Sequence, residues 1–188
     1  MKKFALLLIA SLLLIPSVTS CLNDDEVVDT WTEYAEWRET NDAWLEEMRN
    51  LTDDNGNRYY KEVRGAWDFN ACVYMHYFND TTLTRGNLTP HYNSWVDVVY
   101  KGQLYDGTPF DSSYLNTTPA DSVFRTTMGN VITGWAVALS DMHVGDSCEV
   151  IVPYSVGYSG TGSGSILPYS HLVFNMKLVG VPFYEAKL

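Results

Sequence analysis

Side chains able to act as nucleophiles, bases or metal ligands are present in this chain, but not at the spacings such chemistry needs. His76, His91, His143 and His171 are scattered, and no histidine or cysteine pair sits at metal-ligand spacing. Ser112 and Ser113 stand in a turn motif, and no G-x-S-x-G elbow presents a serine nucleophile. Gly160-Thr161-Gly162-Ser163-Gly164-Ser165 has the glycine content of a phosphate cradle. Such a cradle follows a strand, opens a helix and, in the Walker form, carries a lysine. This stretch has no lysine and runs into Ile166-Leu167-Pro168 and a further strand, so it is expected to be a flexible flap. Asp53-Asp54-Asn55-Gly56-Asn57 lacks the ligand spacing of a calcium loop and reads as an Asn-Gly turn. No metal or other cofactor is expected. What remains is aromatic. Trp135, Phe110 and Phe174, taken singly, would be apolar core in almost any small β domain.

The elements that position these groups are read from periodicity and punctuation. Trp37, Trp44, Leu45 and Met48 recur at helical spacing with Glu33, Glu36, Glu39, Glu46 and Glu47 between them, so residues 24–50 read as a tether followed by a helix. Asp29 or Thr30 can cap it, with Glu33 in capping-box position after Thr30. Trp31 and Tyr34 extend the aromatic face, which is read as core or a docking face. From Tyr59 onward the chain looks like strands. Residues 72–78, 95–100, 147–152 and 171–179 are rich in β-formers, and Lys101-Gly102 is expected to stop the second of these. A single short helical stretch is expected over 135–142. An antiparallel sheet with one short helix packed on it is an α+β architecture.

Four segments carry a recognisable order of motifs. The first is Val98-Val99-Tyr100-Lys101-Gly102-Gln103-Leu104 with Asp106-Gly107-Thr108-Pro109-Phe110-Asp111-Ser112-Ser113. The second is Val131-Ile132-Thr133-Gly134-Trp135, continued by Leu139, Met142, Val144 and Gly145. The third is Ile151-Val152-Pro153-Tyr154-Ser155-Val156-Gly157-Tyr158, and the fourth Ile166-Leu167-Pro168 with Leu172-Val173-Phe174-Asn175-Met176-Lys177-Leu178. Together, in this order, they resemble the FKBP family. The likeness runs over about 72–181 and does not explain the helical segment before it.

The resemblance implies an FKBP-like curved antiparallel sheet wrapped around one short helix, with an apolar pocket between them. It implies that Trp135 is the pocket floor and that Tyr100, Phe110, Val131, Ile132, Leu167 and Phe174 are its walls. Tyr158 and the Ile132 backbone amide would donate hydrogen bonds to substrate carbonyls, and Asp111 would be a polar group at the edge. Three departures stand out. The segment 114–130 is longer than the family pattern, leaving the register of Phe124 open. Tyr114, Leu115 and Asn116 stand where a basic partner for the aspartate is often found. The loop from Leu167 to His171 is one residue short.

The activity so implied is peptidyl-prolyl cis-trans isomerisation of proline-containing polypeptides. A prolyl imide turns slowly because rotation breaks its C–N conjugation, at about 18–20 kcal/mol. In the twisted state the carbonyl loses resonance charge, so a water-excluding aromatic pocket favours that state over the planar ones. Preferential binding of the twisted imide is catalysis, tenfold for each ~1.36 kcal/mol. The alternative is a protein-binding or chaperone-like module that keeps the fold with little catalysis. The nearly complete pocket set favours the enzyme. The altered surroundings of Asp111 and the aromatic N-terminal helix favour the module.

Residues 1–20 read as a leader. Met1-Lys2-Lys3 is basic, residues 4–15 are apolar, and Val18-Thr19-Ser20-Cys21 resembles the lipobox of bacterial lipoproteins. This predicts lipid attachment at Cys21 and a place in the cell envelope, anchored to a membrane. Losing Lys2 and Lys3 takes the formal charge from −11 to −13, which repels nucleic acid and anionic head groups. The expected organisation is a signal peptide at 1–20, a tether and N-terminal helical extension at 21–70, and the FKBP-like domain at 71–188. Cys72 and Cys148 are left either as a disulfide or as two free thiols.

Overall fold

The computed structural model describes residues 29–184; the leader, Cys21 and the start of the tether lie outside the described residues. Helix α1 (Thr30–Glu33) and helix α2 (Ala35–Asn50) precede β1 (Lys61–Arg64), β2 (Cys72–Tyr77), β3 (Trp95–Leu104), β4 (Pro109–Ser112) and β5 (Phe124–Thr127). Helix α3 (Thr133–Asp141), β6 (Ser147–Val152) and β7 (Leu172–Gly180) follow. The strands form one antiparallel sheet in the order β1-β2-β6-β7-β3-β4, with β5 also paired to β3.

Strand alternation gives this sheet two apolar faces. Val73, Met75, Val150, Val152, Leu172, Phe174, Met176, Val96, Val98 and Tyr100 turn inward and pack with α3. Their neighbours Tyr74, Ile151 and Val173 turn the other way, join Tyr60, and are covered by Trp44, Leu45 and Met48 of α2. The sheet is therefore held between two helices, and the N-terminal extension is docked on its outer face. Each aliphatic side chain fully buried there contributes about 1.5–3 kcal/mol relative to exposure. That is enough to hold a 16-residue helix in place.

Helix α3 is apolar almost all round, with Gly134 to Leu139 buried, as a helix enclosed by a sheet must be. Gly134 lets it approach β6 so closely that a Cβ there would collide with Val152. The helix opens at Thr133, two residues ahead of the expected start.

Several expectations are corrected. The second strand does not stop at Lys101-Gly102 but runs to Leu104, because Gly102 serves packing: a Cβ there would lie 2.7 Å from the Phe110 ring and 2.9 Å from Phe174. The sheet begins at Lys61, with β1 paired to β2 and Val63 in the core, ahead of the first β-rich range given above. This agrees with strands from Tyr59 onward, although Lys, Glu, Val and Arg carry too little apolar pattern to bound this one. At the helix start, Asp29 is the cap, accepting from the Thr32 N–H at 2.8 Å, and the chain breaks at Tyr34 before α2 begins. Cys72 and Cys148 are free thiols.

Candidate active site

The pocket opens where β3 changes partners. Along one edge β3 pairs with β7 throughout, from Asp97 to Leu104. Along the other edge β5 takes Trp95 to Val98 and β4 takes Lys101 to Gln103. The backbone of Tyr100 falls in the gap between them. Ser113 fills it: its N–H donates to the Tyr100 carbonyl at 3.0 Å and its Oγ accepts from the Tyr100 N–H at 2.9 Å. The second serine of the Asp111-Ser112-Ser113 run is thus a fully buried splint and not a nucleophile.

A cavity of about 460 Å³ lies between this edge and α3, lined by Tyr100, Phe110, Asp111, Phe124, Gly129, Asn130, Val131, Ile132, Trp135, Tyr158 and Phe174. All the anticipated pocket residues line it except Leu167. Ile166 turns into the core at 6 % exposure, so its neighbour Leu167 turns out, 41 % exposed, into the groove beside Thr30 and Glu33. Phe124 does enter the pocket, its register set by pairing with Val98. Gly129 and Asn130 were not anticipated, and their residue types alone give no signal of a pocket rim.

Trp135 is 4 % exposed and is met edge-on by three aromatic rings. Tyr100 lies 4.8 Å from it at 84°, Phe174 5.2 Å at 89°, and Phe124 6.4 Å at 82°. Phe110 in turn packs edge-on against Phe174 at 5.6 Å. Edge-to-face contacts of this kind favour one mutual arrangement, adding about 0.5–1.5 kcal/mol each beyond burial.

The polar groups divide into engaged and unengaged. Asp111 is held on both oxygens, by the Tyr100 hydroxyl at 2.6 Å and the Ser112 N–H at 2.8 Å. Tyr100 therefore takes the place of the absent basic partner. Burial, and then the Asp111 carboxylate, push the Tyr100 hydroxyl far above its ordinary range, so it remains a donor. Burial followed by the Asp111 charge also raises the Tyr158 hydroxyl, and no hydrogen bond engages it among the described residues. The Ile132 N–H is likewise free of a backbone partner among the described residues, while its carbonyl caps the first turn of α3. Trp135 Nε1 is buried without a partner. An apolar box with idle donors suits a ligand that offers apolar surface and carbonyl oxygens.

Tyr158 sits at the foot of the flap, beside the turn that His171 fixes. This imidazole is 1 % exposed; its Nδ1 accepts from the Tyr154 N–H at 3.0 Å, so the proton is on Nε2, directed at Asp42 Oδ1 at 3.1 Å. Burial lowers its pKa, and the Asp42 hydrogen bond and charge only partly oppose this. The unfolded chain thus takes up this proton near the ordinary value of about 6.5, before the folded chain does. Stability is fully present above that pH and falls as pH drops toward the lower folded value, by at most about 1.4 kcal/mol per unit. Urea midpoints measured from about pH 7.5 to 5 should show this slope, and a His171→Gln chain should show less of it. Equal slopes in the two chains would rule the assignment out.

A second cavity, about 330 Å³, is lined by Lys61, Tyr77, Thr81, Thr82, Arg85, Asp141, His143 and Asp146. Its carboxylates are already engaged: Asp141 by Lys61 and Tyr77, Asp146 by Asn79, Thr84 and the His143 N–H.

A sequence profile described as FKBP-type peptidyl-prolyl cis-trans isomerase matches residues 86–179. The chain is 40% identical over 87 residues to FK506-binding protein 2 of Dictyostelium discoideum, covering 46% of this chain and 64% of that one. It is 41% identical over 87 residues to the FKBP-type 22 kDa peptidyl-prolyl cis-trans isomerase of Escherichia coli, 46% of this chain and 40% of that one. The alignments thus span less than two thirds of these curated relatives. Among solved structures, a peptidyl-prolyl cis-trans isomerase from Pseudomonas syringae pv. tomato superposes with a TM-score of 0.61 at 23% identity, covering 79% of this chain and 95% of that one. FkpA from Escherichia coli does so with the same score and identity, covering 79% and 62%. These structures share the fold. The helices α1 and α2 lie outside the matched profile.

Proposed function

The chain belongs to the FKBP-type peptidyl-prolyl cis-trans isomerase family, and we propose that it catalyses prolyl cis-trans isomerisation in envelope or exported polypeptides, anchored by a lipid on Cys21. The observation that carries this reading is the pairing of an aromatic box with hydrogen-bond donors that nothing engages among the described residues. The prolyl ring rests on Trp135 between Tyr100, Phe110, Phe124, Val131, Ile132 and Phe174. The Ile132 N–H and the Tyr158 hydroxyl hold carbonyls of the substrate on either side of the turning bond. With water excluded, the twisted imide, whose carbonyl carries less charge than the planar form, is the better-bound state. Asp111, fixed by Tyr100 and Ser112, sets the polar edge past which the imide carbonyl swings. No bond is made or broken, so no nucleophile, metal or redox group has a part.

The test is a protease-free isomerisation assay on a prolyl peptide and on a protein whose refolding is proline-limited. The wild-type chain should accelerate both. Tyr158→Phe, which keeps the ring and removes one donor, should lose roughly threefold to tenfold in kcat/KM, the value of one hydrogen bond of about 0.5–1.5 kcal/mol. A folded wild-type chain inactive on both substrates would defeat the proposal and leave the binding-module reading. The same chain recovered from membranes should begin at Cys21 and carry acyl chains by intact mass; a free Cys21 would defeat the anchor.

A further inference from the structure

We infer that helix α2 is a positioning element for the pocket: Asn41 and Asp42 clamp His171, and through it the turn and flap that carry Tyr158. The inference rests on the isomerase reading of that pocket. It starts from a cost. Covering the outer face of the sheet requires only the apolar stripe of α2, yet the helix also buries polar side chains, which is unfavourable unless each is paired. Asn41 is fully buried; its Nδ2 donates to the Trp37 carbonyl at 2.9 Å and its Oδ1 accepts from the His171 N–H at 3.1 Å. The next residue, Asp42, accepts from His171 Nε2. The opposite edge of the imidazole accepts the Tyr154 N–H, and the two rings stack at 5.3 Å and 22°. His171 is therefore a rigid spacer between α2 and the first residue of the 3-10 turn Tyr154–Val156.

From that turn the connection to Tyr158 is short and closed. The Ser159 N–H donates to the Tyr154 carbonyl at 2.8 Å, and the Tyr169 N–H donates to the Ser159 carbonyl at 2.8 Å. Ser159 and Tyr169 are the two feet of the flap, and both hold positive φ, 53° and 62°, a conformation that non-glycine residues keep only when neighbours impose it. The N-terminal helices supply those neighbours a second time. Trp37 Nε1 donates to Ser170 Oγ at 3.1 Å, and Thr30 Oγ1 and the Tyr169 hydroxyl lie 3.1 Å apart. Trp31 meets the Tyr169 ring edge-on at 5.4 Å, with the Arg38 guanidinium 3.5 Å over Trp31. Within the flap, the Thr161 and Gly162 N–H groups donate to the Tyr158 carbonyl and Ser163 bridges Ile166. The foot of the flap, from Tyr169 to His171, is thus held by the N-terminal helices, which lie outside the matched profile.

Amide hydrogen exchange and isomerisation kinetics on the full chain test this with Asn41→Ala, Asp42→Ala and Asp42→Asn. Asn41→Ala and Asp42→Ala should speed exchange across 154–171 about tenfold while β3 and β7 amides keep wild-type rates, as local opening does. Both should lose about threefold to tenfold in kcat/KM, whereas Asp42→Asn, which keeps an oxygen acceptor for Nε2–H, should restore both readouts. In a Tyr158→Phe background, Asn41→Ala should cost little more, because the clamp acts through that hydroxyl. Unchanged flap exchange, uniform acceleration over the whole sheet, or a fully additive loss with Tyr158→Phe would each overturn the inference. A wild-type chain without isomerase activity would instead remove the reading of the pocket, and flap exchange alone would then decide the clamp.

Discussion

A Trp135→Ala chain should be about 3–5 kcal/mol less stable than the wild type and should lose isomerase activity to background. The size follows from where the indole sits. It is 4 % exposed, on the first turn of a helix enclosed by the sheet, with Tyr100, Phe124 and Phe174 all edge-on to it. Removing it opens a cavity that three rings cannot close without leaving their own contacts, and a domain of ordinary stability, about 5–15 kcal/mol, loses a large share of it. Urea midpoints in the cold measure the first effect. Because such a chain can fail to fold under assay conditions, Trp135→Phe is the informative partner. It should keep most of the stability yet lose about tenfold or more in kcat/KM, since a smaller ring leaves the imide in contact with water. Wild-type turnover in a folded Trp135→Phe chain would mean that the indole is core and not floor.

The second large effect is expected at Gly102. A single methyl there would stand 2.7 Å from Phe110 and 2.9 Å from Phe174, both walls of the pocket. Neither ring can withdraw freely, because each is packed edge-on against the other at 5.6 Å. Gly102→Ala should therefore cost about 1–3 kcal/mol, the usual range for overpacking, and reduce kcat/KM about tenfold by splaying the walls. Gly86→Ala is the control, since nothing lies within 4 Å of a Cβ at that site. A Gly102→Ala chain as stable and as active as the control would show that the walls tolerate displacement.

These positions also mark how far sequence reasoning reaches. Lys101-Gly102 reads as a strand terminator because glycine weakens strands in general; only the rings stacked over it reveal that β3 continues and needs the glycine. Ile166-Leu167-Pro168 offers two adjacent aliphatic residues, and periodicity alone does not say which turns inward. The Ser163–Ile166 bridge decides for Ile166 and places Leu167 outside. Asp111 lacks a basic neighbour in the chain, yet it is held by Tyr100, eleven positions away in sequence and across the β3–β4 pairing. The foot of the flap is reached by α2 at His171, through contacts 129 and 130 residues apart in sequence.

While the aromatic pocket set came only through the family resemblance, the sequence by itself determined the α+β class, the sheet's main strands and the short apolar helix. These follow from local periodicity and from motifs that lie close together along the chain, and side-chain period ties each of them to one face of one element. Tertiary structure alone decided which surface each face meets. It set Phe124 opposite Val98, wedged Ser113 into the gap beside Tyr100, and laid α2 on the outer face with Asn41 and Asp42 on His171. The physical reason is that an apolar or polar face specifies that it must be covered or paired, while its partner is chosen by the packing of segments a hundred residues apart, and no local pattern records that choice.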